Sequence, residues 1–261
     1  MLNMKIIDLS VPIEEGIPSD PPPLRPKVKI KTHKEGAEEM SQLFGNCGVE
    51  NLPEGNGIAS AQLTLTDHAG THLDAPYHFY PTMNGGEPSW TIDQVPLEWC
   101  IGDGVVVDFR DKPDGHLVQP EEFEEYFEKI GYTLKEGDIV LINTSAGARY
   151  GQPDFLGSGC GISQKATLWL IDHGSHVMGT DAWGWDVPMP VAAKRFAETH
   201  DPSILWEGHR TGRIKAYCHM EKLTNLDILP RFGFKVICFP VKIKGASAGW
   251  TRAVAILDSD L

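Results

Sequence analysis

Three histidines and two aspartates stand within thirteen positions, in the segment D-H-A-G-T-H-L-D-A-P-Y-H-F that runs from Asp67 to Phe79. Four of these side chains are separated by four, two and four residues: His68, His72, Asp74 and His78. Imidazole nitrogens combined with one carboxylate suit zinc, manganese or iron in the divalent state. The segment therefore predicts a metal site, in which three protein ligands leave positions open for water and a substrate.

The even separations favour an extended chain, because alternate side chains of a strand lie on one face. Residues 62–66 alternate polar and apolar side chains in phase with the histidines, which predicts a strand that runs into the cluster. A helix would also bring His68 and His72 to one face. The glycine, threonine and proline within the segment disfavour that geometry.

Two other interpretations of the cluster remain open. The histidines can be buried polar groups that only form hydrogen bonds, or they can hold a structural metal, although structural sites tend to be closed and rich in thiolates. The five cysteines are odd in number and lack a C-x-x-C pair, so neither a disulfide framework nor a thiolate zinc site is predicted. They are Cys47, Cys100, Cys160, Cys218 and Cys238.

The composition is that of a globular protein with no affinity for polyanions. The chain has 261 residues, 41% of them apolar and 23% charged, and one domain over residues 1–261 is expected. Its net charge of -13 repels phosphate backbones and anionic lipids. No apolar run reaches the roughly 20 residues of a membrane span, and the start lacks a signal-peptide pattern. We expect a cytoplasmic protein without nucleic acid or membrane as partner.

Three helices must help to position the cluster. The clearest begins at Pro120, repeats apolar residues at helical spacing and ends at Gly131. A second begins after Ser163 as N-cap and reaches Gly174, and a third covers Val191 to Glu198. The segment Gly36–Gly57 has no clear periodic element and suits a lid or an exchanged arm.

Strand-like runs dominate the rest of the chain. They do not alternate with helices as in an eight-fold barrel, so an α/β (α+β) fold with a barrel-like sheet is expected. The runs are Lys5–Leu9, Ser60–Thr66, Gly104–Phe109, Asp138–Asn143, His176–Gly179, Arg213–Cys218, Phe234–Ile243 and Arg252–Leu257.

A serine-hydrolase motif is present without its context. The stretch G-A-S-A-G at Gly245–Gly249 fits the G-x-S-x-G pattern, which requires a following helix and a later histidine. The next residues, WTRAVAIL, are typical of a strand, and no histidine follows His219. We interpret the stretch as a glycine-rich turn between strands.

The histidine segment, written H-x-G-T-H-x-D-x-P-x-H from His68 to His78, resembles the signature of the cyclase family of metal-dependent hydrolases. That family includes bacterial kynurenine formamidase and isatin hydrolase. The later blocks GTDAWGWD (179–186), EKLTNLD (221–227) and FPVKI (239–243) resemble the isatin-hydrolase-like branch. The resemblance implies a swivelling β/β/α fold, a homo-oligomer (dimer or tetramer), and hydrolysis of an amide bond, often one in a ring.

The resemblance also implies roles for single residues. His78 matches the catalytic histidine, and the metal ligands are matched by His68, His72 and Asp74. Glu221 and His209 match positions that bind a second metal or the substrate. His219 stands where the isatin-hydrolase branch has an amide side chain on the metal. The implied cofactor is one divalent ion, Mn or Zn, with a second Zn conceivable.

The predicted function is that of a metal-dependent amidohydrolase, in which a metal-bound water opens a cyclic amide or imide such as isatin. His78 is expected to move the protons. Aromatic side chains suited to a flat substrate are Phe44, Trp183 and Trp185. The alternatives are an arylformamidase acting on a linear amide of the N-formylkynurenine type, and a non-catalytic protein stabilised by its metal.

Overall fold

The computed structural model describes residues 4–258, and residues 1–3 and 259–261 lie outside that description. The helices are α1 (Gly36–Leu43), α2 (Pro76–Phe79), α3 (Pro120–Ile130), α4 (Gln164–Asp172) and α5 (Met189–Thr199). The longer strands are β1 (Met4–Asp8), β2 (Lys27–Lys31), β3 (Ser60–Thr64), β4 (His72–Asp74), β7 (Ile101–Asp108), β9 (Ile139–Asn143), β11 (Val177–Thr180), β12 (Cys218–Glu221), β13 (Phe234–Ile237), β14 (Ala248–Trp250) and β15 (Val254–Asp258). Two-residue strands are β5 (Thr82–Met83), β6 (Glu87–Pro88), β8 (Leu117–Val118) and β10 (Gly161–Ile162).

Nine strands form one curled, mixed sheet in the order β1-β15-β13-β7-β9-β11-β12-β4-β14. The four neighbours β7, β9, β11 and β12 run parallel, and antiparallel strands extend the sheet on both sides. Helix α3 lies between β7 and β9 in the chain, and α4 lies between β9 and β11, as parallel strands require long connections. This mixed architecture confirms the predicted α/β class.

The central strands are buried on both faces. Val105 and Val107 of β7 pack with α3 and α4 on one face, whereas Val106 packs on the other face with Leu9 and Met220. Strand β9 divides its side chains between the same two cores. This explains why these strands consist of consecutive apolar residues instead of alternating ones.

Local signals account for two of the predicted helices. Helix α3 has Pro120 in its first turn, and Gly131 ends it with a φ of 66°, a left-handed value that glycine adopts without strain. At the start of α4 the Ser163 side chain accepts a hydrogen bond from the Ala166 N–H. The third helix is longer than predicted and forms α5. Helix α1 lies in the segment for which no element was predicted.

Several predicted strands have other limits. The run Ser60–Thr66 ends at Thr64 and pairs with β2, which was not predicted. The prediction of a strand over Arg213–Cys218 is wrong, because a 3-10 turn covers His209–Arg213 and the strand begins only at Cys218. Phe234–Ile243 is a strand as far as Ile237.

Two general expectations concern thiols and membranes. The five cysteines are free, and four of them are buried. In the part of the chain that the structure describes, the helices are too short or too polar to cross a bilayer. The extent of one domain over residues 1–261 stays a prediction.

Candidate metal centre

Two neighbouring antiparallel strands place four ligand-type side chains on one face of the sheet. His72 and Asp74 are two residues apart on β4, and His219 and Glu221 are two residues apart on β12. In the register of the two strands His219 lies opposite Asp74, and Glu221 lies opposite His72. Because side chains alternate along a strand and directly opposed residues share a face, all four meet. Each of them is buried.

His68 and His78 also face this cluster, but they do not lie on the predicted strand. His68 lies in a turn that includes Gly70, whose φ is 64°, and His78 lies in the single turn of α2. The expectation of one extended strand through all four positions is therefore wrong outside His72–Asp74. Even so, His68 Nδ1 lies 2.9 Å from Asp74 Oδ1, and His78 Nε2 lies 3.8 Å from Asp74 Oδ2.

A second group of ligand-type atoms adjoins the first. His219 Nε2 lies 3.3 Å from Asp74 Oδ2 and 3.1 Å from Glu221 Oε1, and His209 Nε2 lies 3.7 Å from the same Glu221 oxygen. Within each group the ligand atoms lie within 4.8 Å of one another. The groups are His68, Asp74 and His78 on one side, and Asp74, His209, His219 and Glu221 on the other. Asp74 belongs to both.

Neighbouring groups fix the direction of two imidazoles. The Gly70 carbonyl lies 2.9 Å from His72 Nδ1, so His72 turns Nε2 towards Asp74 and Glu221. Asp186 forms a hydrogen bond with His209 Nδ1, which leaves Nε2 facing Glu221. Such outer partners fix the tautomer and orientation of histidines that bind metals.

Ser247 is the outer partner of His68. Its Oγ lies 3.0 Å from His68 Nε2 and donates to Asp67 at 2.9 Å. The serine of the G-A-S-A-G motif therefore contacts a histidine through Nε2 of that ring. The other nitrogen of His68, Nδ1, faces Asp74. The stretch is a turn that leads into β14, as the sequence predicts.

Three buried atoms test whether a cation fits here. His72 Nε2 and both carboxylate oxygens of Asp74 have no hydrogen-bond partner among the described residues. Both side chains are fully buried, and a buried polar atom without a partner is costly. A divalent cation among these atoms would satisfy them, so the donor set fits a metal.

The charges of the cluster are strongly coupled. Burial alone would raise the pKa of Asp74, but the charges of His78, His68 and His72 hold it well below its usual range. Burial also opposes ionisation of Glu221, yet the hydrogen bond with His219 lowers its pKa to about 2. The ionised, buried carboxylates of Asp74 and Glu221 are therefore stabilised by nearby positive charge, which a metal ion can supply in place of protons.

Two histidines that face these carboxylates, His219 and His78, have pKa values shifted in opposite directions. Burial would lower the pKa of His219, but the nearby carboxylates of Asp74 and Glu221 raise it to about 9. For His78 burial prevails and lowers the pKa to about 4. His78 is therefore a neutral imidazole near pH 7, with a nitrogen free to accept a proton.

The cluster opens into a mainly apolar cavity of about 320 Å³. Trp183, one of the three candidate pocket residues, lines it, and so do Leu24 and Met189. Trp206 also lines it and was not predicted. The Trp206 ring stacks on His209 with centroids 5.3 Å apart and lies 5.9 Å from the His78 ring. The cavity thus has aromatic walls beside the histidines.

The other two predicted pocket residues lie elsewhere. Phe44 directly follows α1, is 64% exposed and does not line this cavity. Trp185 is fully buried behind the cluster, where it stacks on His219 with centroids 5.2 Å apart and donates to Thr167 Oγ1. Trp185 supports a candidate ligand and does not form the cavity wall.

Comparison with known proteins agrees with this architecture. A kynurenine formamidase from Erythrobacter litoralis (strain HTCC2594) is 23% identical over 219 residues, which cover 81% of this chain and 83% of that protein. Isatin hydrolase A from Labrenzia aggregata, bound to benzyl benzoate, has a TM-score of 0.71 and 22% identity over 98% of this chain and 95% of its own. A potential metal-dependent hydrolase with cyclase activity has a TM-score of 0.64 and 21% identity over 97% and 98%.

These structural likenesses confirm the fold that the histidine segment implies. The model of a protein family described as "putative cyclase" matches residues 7–187 of this chain, a range that includes His68, His72, Asp74 and His78. This range is more than half of the chain. The chain belongs to the putative cyclase family.

Proposed function

We propose that this protein is a metal-dependent hydrolase that cleaves the C–N bond of a small amide, with a cyclic amide or imide such as isatin as its substrate. One observation carries the proposal: buried clusters of histidine and carboxylate atoms that share Asp74 open directly into an aromatic-walled cavity. A purely structural metal site is typically closed, so the open cavity favours an enzyme. The names of the similar formamidase and isatin hydrolase support the same class of reaction.

The donor set is suited to one divalent ion, Mn or Zn. We assign the ligands to His68, His72, Asp74 and His219, whose nitrogens and carboxylate are of the kind both ions accept. Such an ion, when bound, supplies a strong nucleophile from water near neutral pH and polarises a carbonyl oxygen. His209 and Glu221 are assigned to a second ion or to substrate contacts.

His78 is the residue proposed to move protons. Its ring lines the cavity, and its Nε2 faces Asp74 at 3.8 Å, the longest of the Asp74 contacts to a histidine. An imidazole in this place can accept a proton from attacking water and return it to the leaving nitrogen. The Trp206 ring lies beside it, with the two ring centroids 5.9 Å apart.

A second candidate activity is the hydrolysis of a linear N-formyl aryl amine. It is favoured by the second group of ligand-type atoms, because His209, His219 and Glu221 lie close enough to hold another zinc ion with Asp74. Metals about 3.5–4 Å apart form a recurrent hydrolytic arrangement. The flat aromatic wall suits either substrate, so the number of metals is the discriminating property.

Removal and return of the metal tests the proposal. The purified protein should open the ring of isatin, lose that activity after dialysis against a chelator, and recover it with added Mn or Zn. Formanilide, assayed in parallel, tests the linear alternative. Hydrolysis of formanilide alone would replace the first substrate class by the second, and hydrolysis of neither amide by the metal-loaded protein would contradict both.

We also propose a homo-oligomer and a cytoplasmic location. The segment that contains β2, α1 and β3 has exposed apolar side chains, namely Ile30, Leu43, Phe44 and Leu63. A second copy of the chain could cover them. A monomeric mass by light scattering at micromolar concentration would contradict the oligomer. The five free thiols favour a reducing compartment, which cell fractionation would test.

A further inference from the structure

A buried ion pair forms part of the cavity wall. Asp20 and Lys222 both line the cavity, and they are 3% and 1% exposed. Lys222 Nζ donates to Asp20 Oδ1 at 2.5 Å and to the His68 carbonyl at 2.8 Å. Asp20 also accepts hydrogen bonds from Trp183 Nε1 and from Ser19 Oγ, each at 3.0 Å. The pair is therefore a fixed feature of the wall.

The backbone explains why a lysine next to Glu221 faces the same cavity. In a continuing strand, neighbouring side chains point to opposite faces. Lys222 leaves β12 with a φ of 55°, in the left-handed region that non-glycine residues rarely adopt. Its N–H donates to the Ala182 carbonyl at 3.0 Å, and its carbonyl accepts from Thr71 Oγ1 at 2.6 Å. These contacts hold both side chains on the cavity.

Lys222 is the single lysine or arginine among the cavity-lining residues of the described chain. Carboxylates are more numerous there: Asp20, Asp67, Asp186 and Glu221. Asp20 offsets the ammonium charge at 2.5 Å, so the wall away from the metal ligands presents no unpaired cation among the described residues. The net charge of -13 on the whole chain adds to the repulsion of anions.

We propose that Asp20 is a specificity-determining residue of this site: it neutralises Lys222, so that the cavity accepts uncharged amides and disfavours amides that carry a further carboxylate. This inference rests on the proposed function and deepens it. It ranks cyclic amides without a carboxylate above N-formyl derivatives of amino acids. Removal of the Asp20 charge frees a buried ammonium beside the substrate and reverses the preference.

Binding of two matched probes tests this without turnover. Benzamide and 4-carbamoylbenzoate differ by one carboxylate, and calorimetry on protein of equal metal content gives the ratio of their Kd values. The wild type should bind benzamide more tightly. Asp20→Asn should shift the ratio towards the carboxylate by about tenfold, as expected for one charge-assisted hydrogen bond. Lys222→Met leaves Asp20 without its cation and should shift the ratio the other way.

The double variant Asp20→Asn with Lys222→Met restores local neutrality and should return the ratio near the wild-type value. Glu14→Gln is the matched control, since it removes one exposed carboxylate from the same N-terminal segment outside the cavity. It should keep the wild-type ratio. Thermal melts show which variants fold, and Lys222→Met still tests the charge argument if Asp20→Asn does not.

The ratios decide the inference. Unchanged ratios in the folded single variants would overturn it, and so would equal shifts in Asp20→Asn and Glu14→Gln. Rates on isatin and isatin-5-carboxylate should follow the same order as the binding ratios. If neither amide is hydrolysed, the proposed function fails, whereas the binding ratios still report on the role of Asp20.

Discussion

Asp74→Ala is expected to abolish metal binding and hydrolysis together. Asp74 is fully buried in the middle of the cluster, and its carboxylate faces His68, His72, His78 and His219. Loss of the carboxylate removes the one group common to both sets of ligand-type atoms. Because a catalytic metal lowers the activation barrier by several kcal/mol, its loss should reduce kcat/KM by about a thousandfold or more. Elemental analysis and the isatin assay measure the two effects.

Asp154→Ala is the control for this variant, because Asp154 is 66% exposed and lies outside the cavity. It should keep both metal and activity. Asp74→Ala should also lose the thermal stabilisation that added metal gives the wild type, since a ligand stabilises the folded state that binds it. A normal metal content in Asp74→Ala would remove Asp74 from the ligand set.

His78→Ala is expected to retain the metal and lose most of the hydrolysis. His78 Nε2 stands farther from Asp74 than the nearest nitrogens of His68, His72 and His219 do, and its proposed task is proton transfer. General acid–base groups contribute about 10²- to 10⁴-fold, so kcat should fall in that range while the metal content stays near that of the wild type.

If His78→Ala loses its metal, the structure offers an explanation, and the same elemental analysis detects that loss. His78 Nε2 or Nδ1 lies within 4.8 Å of ligand atoms on His68 and Asp74, so His78 could itself bind metal. Loss of metal in His78→Ala would assign it that role, and an unchanged kcat would remove it from the reaction. His173→Ala, on an exposed histidine at the end of α4, is the control.

Parts of the fold that depend on neighbouring residues can be predicted from the sequence. Helix α3 follows from Pro120, its apolar spacing and Gly131, and α4 follows from the Ser163 cap, because these signals act within a turn or two. Strand β2 was missed although Val28 and Ile30 alternate with its lysines as in a strand, because the run is only five residues long and it pairs with β3 outside the main sheet.

The candidate site also combines residues whose placement follows from local spacing with residues whose placement depends on tertiary structure. The spacing of His72 and Asp74 predicted a shared strand face correctly, whereas the turn at His68 and the helix at His78 depend on Gly70 and Pro76, which redirect the chain in ways that even spacing does not reveal. His219 and Glu221 join the site through the register of β4 and β12. That register links distant parts of the chain, so the resemblance to a known family was what indicated these residues.

Several supporting residues gave no local signal. Asp186 stands in a block noted for its tryptophans, and its contact with His209 arises where two loops meet. Trp206 and the pair Asp20–Lys222 likewise come together only in the folded chain. Ser247 had a visible motif, but that motif suggested a nucleophile, whereas the structure makes it a hydrogen-bond partner of His68.

The metal content of the purified protein, measured by elemental analysis without prior contact with a chelator, decides whether the buried cluster is a metal site. We expect one Mn or Zn per chain, or two if the second group of atoms is also filled, and a ring-opening activity that follows the metal content. Protein that binds no metal even after Mn or Zn is added would contradict this expectation, and the buried histidines and carboxylates would then be a hydrogen-bonded cluster without a metal.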